Sequence, residues 1–229
     1  MLSLAVAPVL IMLFYIYIRD KYEKEPKKLL FVGTTFGIVI TFPIVFVGNY
    51  LMLFLPKNFG LLGESFYNSF VISSFTEEIF KYIVLFFLTW KNRELNEPFD
   101  GIVYGVFISL GFAFLENILY VFSEDVGGIS TALTRAVISV PGHGLFGVFM
   151  GYFFTKAKFD INNNEQIGHN KTKYLSLAII VPWMVHAFYN FLLLSGLNFF
   201  IFLVFLIILW YICIKLIKTH IESSPFKVF

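Results

Sequence analysis

Ser73-Ser74-Phe75-Thr76-Glu77-Glu78-Ile79-Phe80-Lys81 puts three charged side chains in the middle of a stretch, 66–90, that is otherwise almost wholly apolar or small. A charged side chain at mid-bilayer costs roughly 2.5–3.5 kcal/mol on insertion scales. Three in one span are a structural liability unless polar groups from elsewhere in the chain meet them. The stretch therefore identifies a membrane helix and sets the question of its partners.

Composition agrees with a membrane protein. Hydrophobic residues make up 58% of the 229 and charged residues 14%, with a mean hydropathy of +0.79. A soluble domain of this length could not hide so much apolar surface. The length predicts one integral-membrane domain over 1–229 with about seven spans, at roughly 20 residues each. All spans should be helices, because backbone in lipid must satisfy its own hydrogen bonds. The expected class is thus an all-α polytopic membrane protein. The lone Cys213 leaves no intramolecular disulfide. Met1 runs into apolar sequence without a basic leader or a small-residue cleavage site, which predicts no cleavable signal.

Working outward from the opening stretch, the spans fall at 2–18, 29–55, 66–90, 101–122, 131–155, 174–194 and 197–214. The second should bend at Pro43, and Asp100 is placed to cap the fourth. The fifth is expected to break at Pro141-Gly142-His143-Gly144, and 156–173 reads as the longest loop. Fourteen Lys/Arg fall on one set of alternating loops and the tail, against Lys57 and Arg135 on the other set. That bias orients the N-terminus outside and the C-terminus in the cytoplasm.

Polar groups inside the other spans supply candidate partners. Glu77 and Lys81 share a face of the third span, with Glu78 an i,i+3 step from Lys81. A plain ion pair that lets the helix insert would explain Lys81 and one Glu but leave the second carboxylate unpaired. The fourth span carries Gly105, Ser109, Phe112, Glu116 and Tyr120 on one face, with Asn117 about a quarter-turn round. Gly101-x-x-x-Gly105 and Gly147-x-x-x-Gly151 read as close helix packing. His143 stands in the fifth span, and His186 and Asn190 lie one turn apart on the sixth. His169 and His220 read as ordinary solvated residues. Met by lipid separately, Glu77, Glu78, Lys81 and Glu116 would cost roughly 10 kcal/mol, comparable to a whole protein's stability of roughly 5–15 kcal/mol. Four consecutive helices should therefore share one polar cavity. Three Glu against one Lys leave a formal excess of two negative charges in it, which calls for a protonated carboxyl or a charged histidine.

Glu77-Glu78-x-x-Lys81, Gly111-Phe112-Ala113-x-x-Glu116-Asn117, Pro141-x-His143 with its downstream glycines, and His186-x-x-x-Asn190 resemble, in order, the motifs of the PrsW family. These are bacterial intramembrane proteases, distantly similar to the type II CAAX prenyl endopeptidases. The resemblance covers the helices of about 66–194. Two departures from the CAAX pattern, Lys81 one residue earlier than an Arg and Glu116 in place of a His, point toward PrsW.

The resemblance implies peptide-bond hydrolysis in a multi-pass protein of the bacterial cell membrane. Glu77 or Glu78 would activate water, Glu77 by analogy with the first Glu of the CAAX pair. Glu116 would hold that water or protonate the leaving amine, and His186 and Asn190 would be oxyanion donors. His143 would be a further member, and Lys81 would pair with a neighbouring Glu. Metal-free activation by glutamate is one arrangement; zinc held by Glu78, Glu116, His143 and His186 is the other. The expected substrate is a single-span membrane protein such as an anti-sigma factor, cut first on its extracytoplasmic side to start an envelope-stress response; no nucleic acid is implied. The same buried Glu/Lys/His cluster could instead serve a proton- or ion-coupled transporter, although Pro43, Pro141 and Pro182 do not fall in matching places in two halves. A catalytically silent scaffold is the third reading.

Overall fold

A computed structural model describes residues 1–159 and 167–227, apart from the side chains of 167–169, so the reading of His169 lies outside the described residues. Among them every regular element is a helix: α1 (Leu2–Arg19), α2 (Lys27–Val39), α3 (Thr41–Met52), α4 (Gly60–Tyr67), a π-helical turn (Asn68–Ser73), α5 (Ser74–Thr89), α6 (Pro98–Val121), α7 (Ile129–Val137), α8 (Ser139–Phe159), α9 (Ile167–Leu194) and α10 (Phe199–Glu222). Six segments are long and apolar enough to cross a bilayer: Leu2–Arg19, Lys27–Met52, Pro98–Val121, Ile129–Phe159, Asn170–Leu194 and Phe199–Glu222. The seventh expected span is present as the contiguous α4, π-turn and α5, no piece of which is long enough alone. Large side chains such as Phe46 (76% exposed) and Phe87 (82%) face outward, as a lipid-contacting surface requires.

Helix α6 is the hub. It is buried without interruption from Phe99 to Ala113 and packs on α8, α2 and α1. The two glycine motifs meet each other. A Cβ on Gly151 would lie 2.0 Å from the Gly101 carbonyl oxygen, and one on Gly105 would lie 2.6 Å from that of Gly147. With Gly105 opposite Gly147, the antiparallel register carries His143 opposite Ser109, about two turns from Glu116. Backbone-to-backbone approach thus sets the spacing of two site residues.

Several boundaries differ from expectation. The second span does break, at Ile40, and Pro43 sits in the first turn of α3, where its missing N–H costs least. The fifth span breaks at Ile138 rather than at 141–144, because Pro141 again falls in a first turn, that of α8. The loop expected over 156–173 is shorter, since α8 runs to Phe159 and α9 begins at Ile167. The N-cap of α6 is Glu97, and Asp100 serves it from inside the first turn: its Oδ2 accepts the N–H groups of Asn96 (2.8 Å) and Glu97 (2.7 Å). His220 is not solvated. It is buried and stacked on Tyr152 with ring centroids 4.3 Å apart.

The lysine-rich ends of the helices are tied together by a knot of buried acids. Asp20 Oδ2 accepts the Glu25 N–H at 2.9 Å, Tyr104 donates its hydroxyl to Glu25, and Ser224, beyond α10, donates to Glu97. Asp20, Glu25, Glu97 and Asp100 are each 5% exposed or less.

Candidate active site

The π-helical turn immediately precedes Ser74-Phe75-Thr76-Glu77-Glu78. Single π-turns inside a helix often mark functional sites. Here the turn is bound from outside, since the Trp183 indole N–H donates to the Phe70 carbonyl at 2.8 Å. Trp183 belongs to α9, so the same contact sets α9 against the start of α5.

From that start, α5 directs Glu77, Glu78 and Lys81 inward. Lys81 is fully buried; its Nζ lies 2.8 Å from Glu78 Oε1 and 3.2 Å from Glu77 Oε2, and 4.5 Å from the centre of the Phe112 ring, a cation–π contact. It also donates to His143 Nδ1 at 3.3 Å. His186 Nδ1 faces Glu78 Oε1 at 2.9 Å, and its Nε2 faces Asn190 Nδ2 at 3.1 Å. Asn190 reaches on to Ser73 Oγ at 3.2 Å, and Phe146 stacks on the His186 ring at 4.2 Å. On the other side His143 Nε2 faces Glu116 Oε2 at 3.0 Å. All seven residues singled out in the sequence, Glu77, Glu78, Lys81, Glu116, His143, His186 and Asn190, thus lie in one hydrogen-bonded network.

The network floors a cavity of about 650 Å³, lined among others by Thr41, Ser73, Thr76, Glu77, Glu116 and Asn190. Glu77 lines it, whereas Glu78 is wholly buried behind it. The cavity is also lined by Arg135, which sequence reasoning placed only among the loop charges. Its Nη2 donates to Glu116 Oε2 at 2.5 Å and its Nε to Asn117 Oδ1 at 2.8 Å. The formal excess of two negative charges is therefore one, since Arg135 joins Lys81 against three glutamates. The missed signal was the apolar spacing Ile129, Leu133, Val137, which makes a helix of 129–137 and turns Arg135 toward the protein.

The arrangement can also hold a metal ion. One ligand atom from each of Glu77, Glu78, His143 and His186 lies within 4.8 Å of the others, and all four residues are buried. Two carboxylates and two imidazoles suit zinc, and Glu78 Oε2 is buried without a hydrogen-bond partner. These residues fit a single ion. The set differs from the expected zinc ligands in one position: Glu77 replaces Glu116, whose carboxylate oxygen is engaged by Arg135 and His143. The Lys81 ammonium already bonds to three of the four, so an ion would share them with it.

Comparison with known proteins agrees with this geometry. Residues 25–214 match the family model described as PrsW family intramembrane metalloprotease. Protease PrsW of Geobacillus kaustophilus (strain HTA426) is 34% identical over 219 residues, covering 95% of this chain and 91% of the relative. The proteins of the same name from Bacillus subtilis (strain 168) and Clostridioides difficile (strain 630) are each 35% identical, covering 99% of this chain and 98% and 93% of their own lengths. No solved structure matches. An ion-coupled transporter is not favoured by these relatives. With the family model spanning most of its length and relatives matched almost end to end, this chain belongs to the PrsW family of intramembrane proteases, multi-pass peptidases of the bacterial membrane.

Proposed function

We propose that the protein makes the first, extracytoplasmic-side cut in a single-span anti-sigma factor, with Glu77 as the base that activates water. The observation that carries the choice of base is that Glu77 lines the cavity while Glu78 is sealed behind it against Lys81 and His186. Depth supports the side of the cut. His143, Glu116 and His186 lie four, five and eight residues from the lysine-poor ends of α8, α6 and α9, within about 12 Å at 1.5 Å per residue. The charge bias assigns those ends to the outside.

Glu77 takes a proton from water as the oxygen attacks the scissile carbonyl carbon. Negative charge develops on the carbonyl oxygen, and Asn190, a turn from His186 on the cavity wall, would meet it by exchanging its N–H bond to Ser73 Oγ for one to that oxygen. His186 turns Nδ1 to Glu78 and Nε2 to Asn190, so it orients that amide rather than donating beside it. When the C–N bond breaks, Glu77 returns its proton to the leaving amine. Glu116 stays engaged by Arg135 and His143, which leaves the proton transfer to Glu77. Were zinc held by Glu78, His143 and His186, with Glu77 left free as the base, it would make a coordinated water acidic near neutral pH.

The test is co-expression with doubly tagged single-span anti-sigma factors, comparing wild type with Glu77→Ala, Glu78→Ala and His186→Ala. The expected result is a wild-type fragment whose yield falls about 10²–10⁴-fold in each variant. Cleavage indifferent to all three removes the assignment.

A further inference from the structure

Arg135 is a large cation that the described chemistry does not use, yet it is aimed with care. It projects from α7, whose Ile129, Leu133 and Val137 are 62%, 52% and 72% exposed along one edge. The opposite edge is anchored without the arginine, because Ala132 is fully buried in a small cluster with Ala5 and Val121. The guanidinium is fixed from three directions. Its Nε is held by Asn117 Oδ1, and Asn117 in turn donates to the Ala5 carbonyl at 2.7 Å. Its plane lies over the Tyr120 ring at 4.2 Å. Its Nη2 makes the 2.5 Å contact with Glu116 Oε2. That same oxygen faces His143 Nε2 at 3.0 Å, while His143 Nδ1 accepts a hydrogen bond from Lys81 Nζ.

The bonds on either side of His143 dictate its state. A carboxylate oxygen can only accept, so Nε2 carries the hydrogen; an ammonium can only donate, so Nδ1 presents a lone pair. A carboxylate behind an imidazole fixes both tautomer and ring orientation. Glu116 has that role here, and it can rotate unless something holds its oxygen in place.

We propose that Arg135 is a positioning residue that clamps Glu116, so that Glu116 holds His143 with its Nδ1 lone pair turned toward Lys81, on the side of Glu77. The proposal rests on reading the cavity as the hydrolytic centre. Helix α7 carries the clamp to the wall of the cavity. The guanidinium suits the task because its rigid fork addresses Asn117 and Glu116 at once.

The test combines a spectrum with kinetics. Protein labelled with ¹⁵N-histidine is prepared in nanodiscs as wild type, Arg135→Gln and Arg135→Lys, with His143→Gln to assign the signals. Cleavage of a purified, doubly tagged single-span anti-sigma factor is followed in parallel. Wild type should show His143 as one tautomer, protonated at Nε2. Arg135→Gln should mix the tautomers and lower kcat about 10–100-fold, the range for removing such supporting groups, with KM changed by less than about threefold. Arg135→Lys, which keeps the charge but not the fork, should recover the single tautomer and the rate only in part. If Arg135→Gln does not fold, Asn117→Leu loosens the same guanidinium and should shift the spectrum the same way. A wild-type His143 spectrum in the folded Gln or Leu variant overturns the clamp, as does an unchanged kcat. If wild type leaves the substrate uncut, the hydrolytic reading falls, while the histidine spectra still decide the clamp.

Discussion

Two groups of buried carboxylates lie toward opposite ends of α6, and they are neutralised by different means. Near Glu116, the acids Glu77, Glu78 and Glu116 are bonded to Lys81 and Arg135, cations carried into the protein for them. Near Asp100, the acids Asp20, Glu25, Glu97 and Asp100 are met by backbone N–H groups, by the hydroxyls of Tyr104 and Ser224, and, for Glu25 and Asp100, by each other. The lysines closest to that end turn to carbonyls instead: Lys24 to those of Tyr17 and Asp20, Lys158 to those of Trp90 and Asn92. Burial therefore pushes Asp20 and Glu97 above the usual carboxylate range. Glu25 is pushed up to about 11, by burial first and then by Asp100 and Asp20. One knot is held by cations and the other by protons. The difference suits the proposed roles: a hydrolytic site needs a carboxylate ready to take a proton, whereas a structural joint is steadier without charge.

The most severe way to break this comparison is to take the cation from the first group. Lys81→Met keeps a long side chain in the fully buried slot but leaves Glu78 and Glu77 facing only His143, His186 and each other. Removing one partner of a buried ion pair costs about 3–5 kcal/mol. The variant should lose that stability in detergent unfolding and lose cleavage with it. Added Zn²⁺ should restore part of the stability, since the four donors could then hold an ion without competition from the ammonium. A variant as stable as wild type without zinc would mean that Lys81 is not what neutralises the pair.

The second group is sharpened by pH. The folded-state value of Glu25 lies above its unfolded value of 4.5, so the folded protein holds a proton that the unfolded chain releases. Its contribution is complete below about pH 4.5 and is lost as pH climbs toward about 11. Between pH 7 and pH 9 this removes at most roughly 2.7 kcal/mol. Glu25→Gln has no proton to lose and copies the neutral acid in shape. Wild-type unfolding midpoints should fall more steeply over that interval than those of the variant. Parallel curves for the two proteins would show that the joint is not held by protons at Glu25.

The two groups also differ in how legible they were. Glu77, Glu78, Lys81, Glu116, His143, His186 and Asn190 stand out in sequence because each sits in an apolar run where polarity is expensive, and cost alone drew them to one cavity. The paired glycine motifs of α6 and α8 were legible for the same reason: in a membrane helix, small residues four apart mean backbone approach. Asp20, Glu25 and Glu97 gave no such signal. They sit in polar stretches beside lysines, where a carboxylate is normally solvated, and it is the packing of two loops, the start of α6 and the tail that buries them. Arg135 escaped because it lies close to the end of a span, where an arginine costs little. The π-turn before Glu77 depends on the Trp183 contact from a distant helix, which no local pattern encodes.

The smallest test separates the two groups functionally. Ser224 lies beyond α10 and its hydroxyl donates to Glu97, the N-cap of α6. Ser224→Ala removes that donor without adding bulk, and leaves the Glu97 oxygen it served buried without it. The expected loss is about 1–3 kcal/mol, the cost of leaving a buried acceptor unsatisfied. Glu97 and Glu116 are nineteen residues apart on one helix, roughly 28 Å at 1.5 Å per residue. Nothing in the joint touches the cavity, so cleavage per folded molecule should be unchanged. A Ser224→Ala protein of full stability but reduced cleavage would show that α6 carries information between its ends, and that the two knots of acid are parts of one device.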